Sequence, residues 1–350
     1  MKKIIYLFLF WQLSYVLLAQ NFAENSFFMQ KKIEKTALGT SNDLKQINKT
    51  QIPLFQAAPK PHKGRIIGLS ATAITSYTAT MIAVGKLWYA DYEQTRFHFF
   101  NDNGEWNQID KVGHSWTAYT ESIYIAELYK WAGVDARKSA YIGASMAWFF
   151  QMGIEAFDGF SAAWGASLGD IAANTTGSLL MLGQELAWQE QRIIFKYAFH
   201  NVDYSEFPLE VQTRAAFLYG TSWQESLLKD YNGQSYWLSF NPWRFAKKSN
   251  PYFPNWLTFS VGYSSNDVFG GFTNRWENEA GEILDYSDIE RYRQFFVSLD
   301  IDFTQIPTQS DFLKAVFRAI NIIKIPAPTF EINSKGEAKF HTLYPFLRNE

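Results

Sequence analysis

The residues best suited to chemistry in this 350-residue chain lie in three short polar motifs. These are Asp110-Lys111-x-x-His114, Glu155-x-x-Asp158 and Asp170-x-x-x-Asn174-x-x-Gly177. One imidazole with several carboxylates is an oxygen-rich ligand set that suits Mg²⁺, Mn²⁺ or Ca²⁺ and, less well, Zn²⁺. The same residues suit metal-free acid/base chemistry, in which Asp110 or Glu155 orients His114.

The spacing of these residues predicts that they meet in space. Separations of three or four residues place each pair on one face of a helix. If three consecutive helices alternate in direction, the start of the first, the end of the second and the start of the third share one end of a bundle. We therefore expect five or six polar groups to converge. If these groups form an active site, the hypothetical catalytic residues are His114, Asp110 and Glu155. The hypothetical ligand-binding residues are Lys111, Asp158, Asp170 and Asn174.

The same motifs also have a purely structural interpretation. Asp110 and Asp170 suit helix N-caps, and Ser167 supports the second cap. Glu155 and Asp158 are harder to explain, because acids in the last turn of a helix oppose its dipole by about 0.3–1 kcal/mol each. These two acids need a nearby cation or exposure to water.

Composition excludes several classes of function. The chain has no cysteine, which excludes disulfides, thiolate metal sites, cysteine nucleophiles and a lipid-modified cysteine. A net charge of −2 gives no support for nucleic-acid binding. Residues 64–190 carry a net charge of −6, which disfavours an anionic substrate unless a metal is present. The sequence shows no glycine-rich phosphate loop, Gly-x-Ser-x-Gly elbow or His-Glu-x-x-His motif.

The polar motifs lie on a helical first half. Helical patterns cover residues 66–85, 110–131, 135–157 and 170–186. The first is long enough to span a bilayer, but its hydroxyl and small side chains suit packing against other helices better than contact with lipid. Short connections predict an antiparallel bundle of about four helices.

A strand-rich half follows Arg192, where the apolar period changes from 3.6 to 2. Alternation covers residues 193–200, 257–263 and 295–303, a helix covers 312–320, and a final strand lies near 340–346. Asn232-Gly233 and Gly270-Gly271 supply turns. The bundle or lipid could cover the apolar strand faces. We expect packing on the bundle, with the whole unit at a membrane, since aromatic residues make up 18% of the chain.

The N-terminus predicts export. Lys2 and Lys3 precede an apolar run at 4–18 with a cleavage site after Ala19, so we assign 1–19 to a signal peptide. Residues 20–63 form a basic polar linker, either solvated or touching anionic lipid. We place the helical bundle at 64–190 and a strand-rich region at 191–350, and the predicted fold class is α+β.

The three motifs, with Trp164-Gly165-x-Ser167 before the third, resemble the YfiM-like family, domain of unknown function 2279. The resemblance covers about 106–190 and implies an envelope protein. It implies no reaction. Short members carry a lipoprotein cysteine that this sequence lacks, so the resemblance does not imply lipid anchoring here. The order of the motifs is also similar to that of VanZ-like membrane proteins.

We therefore expect an exported protein of the periplasm or outer membrane that associates with membranes and is not catalytic, its polar cluster fixing the register of the helices. The alternative is a metal-assisted hydrolase or transferase that acts on an envelope lipid or glycan. The expected partner is membrane lipid or another envelope component, not nucleic acid. A divalent metal is the cofactor that the ligand set suggests.

Overall fold

The computed structural model describes residues 55–87, 93–246, 253–278 and 280–345. The predicted signal peptide and residues 20–54 of the predicted linker lie outside these ranges. The first part of the described chain is helical and consists of α1 (Lys63–Leu87), α2 (Ile109–Trp131), α3 (Ala136–Gly159) and α4 (Leu168–Trp188). Across these ranges, every helix falls short of the combined length and hydropathy that a membrane span requires.

Helix α2 lies at the centre of the bundle and packs against both α3 and α4. Glycines allow these helices to approach closely, because a Cβ at Gly143 of α3 would meet the backbone oxygen of Ser122 at 2.4 Å. A Cβ at Gly177 of α4 would meet the backbone oxygen of Ser115 at 2.0 Å. The side of the bundle toward α1 has an apolar core of Ala73, Ile125, Tyr129, Ala147 and Phe150.

The second part of the described chain is built around an antiparallel sheet. Its strands are β1 (Ile193–Phe199), β2 (Gln234–Phe240), β3 (Leu257–Asn266), β6 (Tyr292–Ile301), β7 (Ala327–Asn333) and β8 (Ala338–Tyr344), hydrogen-bonded in that order. A separate hairpin pairs β4 (Arg275–Glu277) with β5 (Ile283–Asp285). Short helices fill the connections: α5 (Leu209–Tyr219), α6 (Trp223–Lys229), α7 (Pro242–Phe245) and α8 (Asp311–Ile320). A helical bundle with an antiparallel sheet confirms the predicted α+β class.

The six-stranded sheet curls on itself. Strands β2 and β8 are four places apart in the sheet, yet the rings of Trp237 and Tyr344 lie 5.7 Å apart. The outer edge of β1 is also paired, because Tyr197 N–H donates to the backbone oxygen of Ile322 and Lys324 N–H donates to that of Tyr197. The curl therefore encloses one face of the sheet and turns the other outward.

The outward face of the sheet is apolar, and the bundle covers only one side of it. Phe195 of β1 and Tyr236 of β2 pack into the core of the bundle with Tyr119. Farther along the sheet the same face is exposed; we call it the outer sheet face, and it consists of Phe259, Val261, Phe295, Val297, Leu299, Phe330, Ile332 and Phe340. The expectation that the bundle covers the apolar strand faces is therefore wrong for most of the sheet.

The enclosed face of the sheet is largely polar. Lys196 of β1 pairs with Asp300 of β6 at 3.1 Å, and Ser239 Oγ donates to the same carboxylate at 2.7 Å. His341 Nε2 lies 2.6 Å from Glu331 Oε2, and both side chains are buried. Strand β6 ends at Ile301, so residue 303, expected to continue the alternation, lies instead in a short 3₁₀ helix.

Candidate functional site

The three polar motifs meet at one end of the bundle. Lys111 near the start of α2 lies 2.8 Å from the carboxylate of Asp170 near the start of α4. The backbone N–H of Ser167, just before α4, donates to Glu155 in the last turns of α3. Helix α3 therefore runs antiparallel to α2 and α4, and the resulting group of side chains is called the His114 cluster below. It consists of Asp102, Asp110, Lys111, His114, Glu155, Asp170 and Asn174.

One half of the His114 cluster surrounds the ammonium group of Lys111. Its Nζ lies 2.5 Å from Asp102 Oδ2, 2.8 Å from Asp170 Oδ1 and 3.1 Å from Asp110 Oδ2. The hydroxyl of Tyr231 donates to the other oxygen of Asp110 at 2.7 Å. These contacts join α2, α4, the loop before α2 and the segment between α6 and β2, so this half of the cluster holds separate parts of the fold together.

The other half of the His114 cluster surrounds the imidazole. Nδ1 of His114 lies 3.2 Å from the side-chain oxygen of Asn174 and 3.9 Å from Glu155 Oε1. Nε2 lies 3.8 Å from Asp170 Oδ1 and 3.9 Å from Asp110 Oδ1. Asp110, His114 and Asp170 each have one potential metal-ligand atom within 4.8 Å of those of the other two. In this half of the cluster, the carboxylate oxygens therefore lie close to the imidazole but too far from it for hydrogen bonds.

A left-handed stretch of backbone leads into α2. Trp106, Asn107 and Gln108 have φ angles of 49°, 49° and 63°. Such conformations cost about 1–3 kcal/mol each in non-glycine residues and persist only where surrounding contacts impose them. Here Tyr263 donates to the backbone oxygen of Asn107, and Trp106 N–H donates to that of Gly271. The strand-rich part of the chain thus positions the first turn of α2, which carries Asp110 and Lys111.

Neither Asp110 nor Asp170 is an N-cap, contrary to the structural interpretation of the motifs. The N-cap of α4 is Ser167, whose Oγ accepts from Asp170 N–H at 3.0 Å and donates to Asp102 at 2.5 Å. The N-cap of α2 is Gln108, whose side chain makes no capping hydrogen bond. Both aspartates lie inside the first turn, where the carboxylates remain available to Lys111 and His114.

Burial and charge shift the pKa values of the cluster in opposite directions. Burial raises the pKa of Glu155 to about 8 and that of Asp170 to about 6, despite the opposing charge of His114. Burial also lowers the pKa of His114, but the three carboxylates around it outweigh this effect and raise it overall. For Asp110, the charges of His114 and Lys111 outweigh burial and lower the pKa. The site therefore favours holding a proton or another cation.

Six of the seven residues predicted for the site are in direct contact within this cluster. Asp158, the seventh, affects it through its charge, which raises the pKa of Glu155. Sequence reasoning missed Asp102 and Tyr231. Asp102 lies in the polar stretch 101–104, where Asn101-Asp102-Asn103-Gly104 was a visible turn signal. Tyr231 follows Asp110 by 121 residues, and no local pattern connects the two.

The arrangement can hold a cation or move a proton. Even when Glu155 and the imidazole are both protonated, the three carboxylates of Asp102, Asp110 and Asp170 outnumber the two positive groups, Lys111 and His114. Excess negative charge in a partly buried site attracts cations and repels anions. An anionic substrate is therefore disfavoured here unless a metal ion is bound.

Comparison with known proteins found one family model that matches part of the helical half. Residues 98–182 match the family model described as "Predicted periplasmic lipoprotein (DUF2279)". No curated protein and no solved structure matches the chain. The similarity to VanZ-like proteins stays a prediction. The family description confirms an exported protein of the cell envelope, in the periplasm or at the outer membrane. All seven residues of the His114 cluster lie within the stretch that matches this family model.

Proposed function

We propose that this envelope protein binds a lipid membrane through the outer sheet face and acts there as a non-catalytic component. The observation that carries the proposal is the inverted polarity of the curled sheet. Val297 is 55% exposed, whereas Asp300 on the same strand is 1% exposed. A sheet surrounded by water places its apolar side chains inside, and a sheet surrounded by hydrocarbon places them outside.

The size of the outer sheet face also supports a membrane contact. It has eight large apolar side chains on four neighbouring strands, among them the directly paired Val297 and Phe330. Contiguous exposed apolar patches of this kind mark interaction surfaces in proteins. Lipid is available to any envelope protein, and the basic segment 20–63 adds an attraction to anionic headgroups.

Flotation of the full-length protein with phosphatidylethanolamine–phosphatidylglycerol vesicles tests the proposal. We expect Val297→Lys and Phe330→Lys to lower the partition coefficient at least tenfold, because a lysine in hydrocarbon costs about 2–4 kcal/mol. Thermal stability should change little, since both positions are exposed in the folded chain. The matched control is Phe217→Lys, an exposed position on α5 outside the sheet.

Two outcomes would contradict this function. Unchanged flotation of both sheet variants would mean that the outer sheet face does not contact lipid. A wild-type dimer that Val297→Lys converts to monomer, without any effect on flotation, would assign the face to a second copy of the chain instead.

The second candidate is a metal-assisted hydrolase or transferase acting on an envelope lipid or glycan. The close approach of the ligand atoms of Asp110, His114 and Asp170 favours it. It requires a metal-dependent activity on vesicles of envelope lipid or on glycan that a chelator removes and His114→Gln abolishes. Activity that survives both changes would eliminate this candidate.

A further inference from the structure

The two nitrogens of the His114 ring have different surroundings. Nδ1 lies 3.2 Å from the side-chain oxygen of Asn174, which can only accept a hydrogen bond. Nδ1 therefore carries the proton and donates, and in the neutral ring Nε2 presents a lone pair. That lone pair faces the carboxylates of Asp110 and Asp170, which repel it unless Nε2 is protonated or a metal ion lies between these groups.

The distances around Nε2 fit a shared cation better than hydrogen bonds. Asp110 Oδ1 and Asp170 Oδ1 lie 3.9 and 3.8 Å from Nε2. Hydrogen bonds of this kind are about 2.7–3.2 Å long. Two ligands that each lie about 2.1–2.4 Å from one metal ion are roughly 3–4 Å apart. Each of these two oxygens is thus separated from Nε2 as two ligands of one metal ion are, and one ligand atom from each of the three residues lies within 4.8 Å of the others.

The Nδ1 side of the ring has the surroundings of a metal-binding histidine. Glu155 is 3% exposed, and its Oε1 lies 3.9 Å from His114 Nδ1 without a hydrogen-bond partner among the described residues. Its other oxygen accepts from Ser167 N–H at 3.1 Å. Metal-binding histidines commonly direct their second nitrogen toward a carboxylate or carbonyl that fixes the ring. Asn174 and Glu155 occupy that position for His114.

We propose that Nε2 of His114 and the carboxylates of Asp110 and Asp170 bind one divalent metal ion of the Mn²⁺ and Mg²⁺ class. Two carboxylates and one imidazole are a predominantly hard donor set that suits these ions. Glu155 and Asn174 are positioning residues, which hold the Nδ1 side of the ring. This site does not depend on the membrane contact proposed above.

Substitution of Lys111 is expected to change metal affinity in the opposite direction from substitution of a ligand. Its ammonium lies 2.8 Å from Asp170 Oδ1, an oxygen that the metal ion would share. Lys111 therefore competes with the ion for the same negative charge. Removing the ammonium should strengthen metal binding, whereas removing a ligand should weaken it. A cluster that serves only as a salt-bridge network would bind no metal in either case.

The experiment titrates the full-length protein with Mn²⁺ alone and follows the loss of the free-ion signal by electron paramagnetic resonance. We expect one Mn²⁺ per chain, displaced by excess Mg²⁺. His114→Gln and Asp170→Asn should each weaken binding at least tenfold, and Lys111→Gln should strengthen it several-fold. Glu121→Gln, a buried acid farther along α2, is the matched control and should leave binding unchanged.

Pulsed measurements on the bound ion test the imidazole directly. Wild-type protein should show coupling of Mn²⁺ to one ¹⁴N nucleus, which His114→Gln removes. Glu155→Gln keeps a polar side chain of the same shape beside Nδ1 and should keep the coupling, whereas Glu155→Leu should weaken binding. No saturable Mn²⁺ binding by the wild type, or bound Mn²⁺ without ¹⁴N coupling, would overturn the site. Mn²⁺ binding and ¹⁴N coupling are both measured on wild-type protein, so these two results test the site even if a variant fails to fold.

Discussion

Lys196 of β1 and Asp300 of β6 form an ion pair inside the curled sheet, with Nζ 3.1 Å from Oδ2 and neither side chain accessible to solvent. Two strands, β2 and β3, separate these residues in the sheet order, so the pair crosses the enclosed space. Lys196 also donates to the backbone oxygen of Ile301 at 2.6 Å. Burial lowers the pKa of Lys196, although the charge of Asp300 opposes this effect.

We expect the loss of either charge of this pair to destabilise the fold strongly. Lys196→Met leaves Asp300 buried without its cation, and breaking a buried pair in this way costs about 3–5 kcal/mol. The double variant Lys196→Met/Asp300→Leu should recover part of that loss, because it leaves no unpaired charge. Denaturant unfolding of the single and double variants measures this coupling, and strictly additive losses would contradict it.

Glu121 of α2 should make stability depend on pH. Burial raises its pKa to about 8, although the hydrogen bond from Gln151 opposes the shift. The unfolded chain ionises Glu121 near its ordinary pKa of 4.5, so the folded chain binds the extra proton between about pH 4.5 and 8. The stabilisation is complete below this window and is lost as pH rises through it, by about 1.4 kcal/mol per pH unit.

Glu121→Gln removes this titration while keeping an oxygen that can accept from Gln151. Its unfolding free energy relative to wild type should therefore rise steadily from pH 5 to pH 8. Denaturant unfolding at several pH values measures the difference. A difference that stays constant across this window would mean that Glu121 is ionised in the folded chain.

Two glycines of α4 should respond to alanine in opposite ways. A Cβ at Gly177 would meet the backbone of α2 at 2.0 Å, so Gly177→Ala must push two helices apart and should cost at least about 2 kcal/mol. At Gly183 a Cβ has open space, and Gly183→Ala should stabilise by about 0.5–1 kcal/mol through the better helix propensity of alanine. Thermal unfolding compares them, and equal effects would disprove close packing at Gly177.

Asp110 should not tolerate asparagine, because it is an ion-pair partner and not a cap. Asp110→Asn removes the charge that faces Lys111 at 3.1 Å and should cost about 1–3 kcal/mol. Asp135 is the control, since it is a true N-cap of α3 whose carboxylate accepts from two backbone N–H groups. Asparagine caps about as well, so Asp135→Asn should change stability by less than about 0.5 kcal/mol. An equal loss of stability in both variants would contradict this prediction and indicate that Asp110 acts as a cap.

The convergence of the site could be predicted because it follows from helix geometry alone. Spacings of three and four residues and alternating helix directions bring His114, Glu155 and Asp170 to one end of the bundle. What the pattern could not assign was the partner of each charge. Ser167 is the N-cap that Asp170 was expected to be, and Lys111 pairs with several carboxylates. These partners were not predictable, because Asp102 comes from a loop and Tyr231 comes from a distant part of the chain.

The sheet was harder to predict. Alternation correctly places Phe295, Val297 and Leu299 on one face of β6, but periodicity does not say whether a protein core or the outside covers that face. The sequence pattern did not predict strand β2, because its apolar residues do not alternate with polar ones. Trp237 lies on the enclosed face and is as apolar as Tyr236 and Leu238 on the opposite face. Asn232-Gly233 forms no hairpin, since two helices separate β1 from β2. Asn232 instead bonds Val268 and Tyr204.

The pairing of β1 with residues 322–324 constrains the order of folding. Because a chain is synthesised from its N-terminus, the bundle and β1 are made before Lys324. Until then the outer edge of β1 has free N–H and C=O groups, which attract strands of other chains. Closure of the sheet joins segments about 125 residues apart, and such distant contacts form slowly. Folding of this protein therefore includes a period in which an incomplete sheet can aggregate, and truncation before residue 322 would make that period permanent.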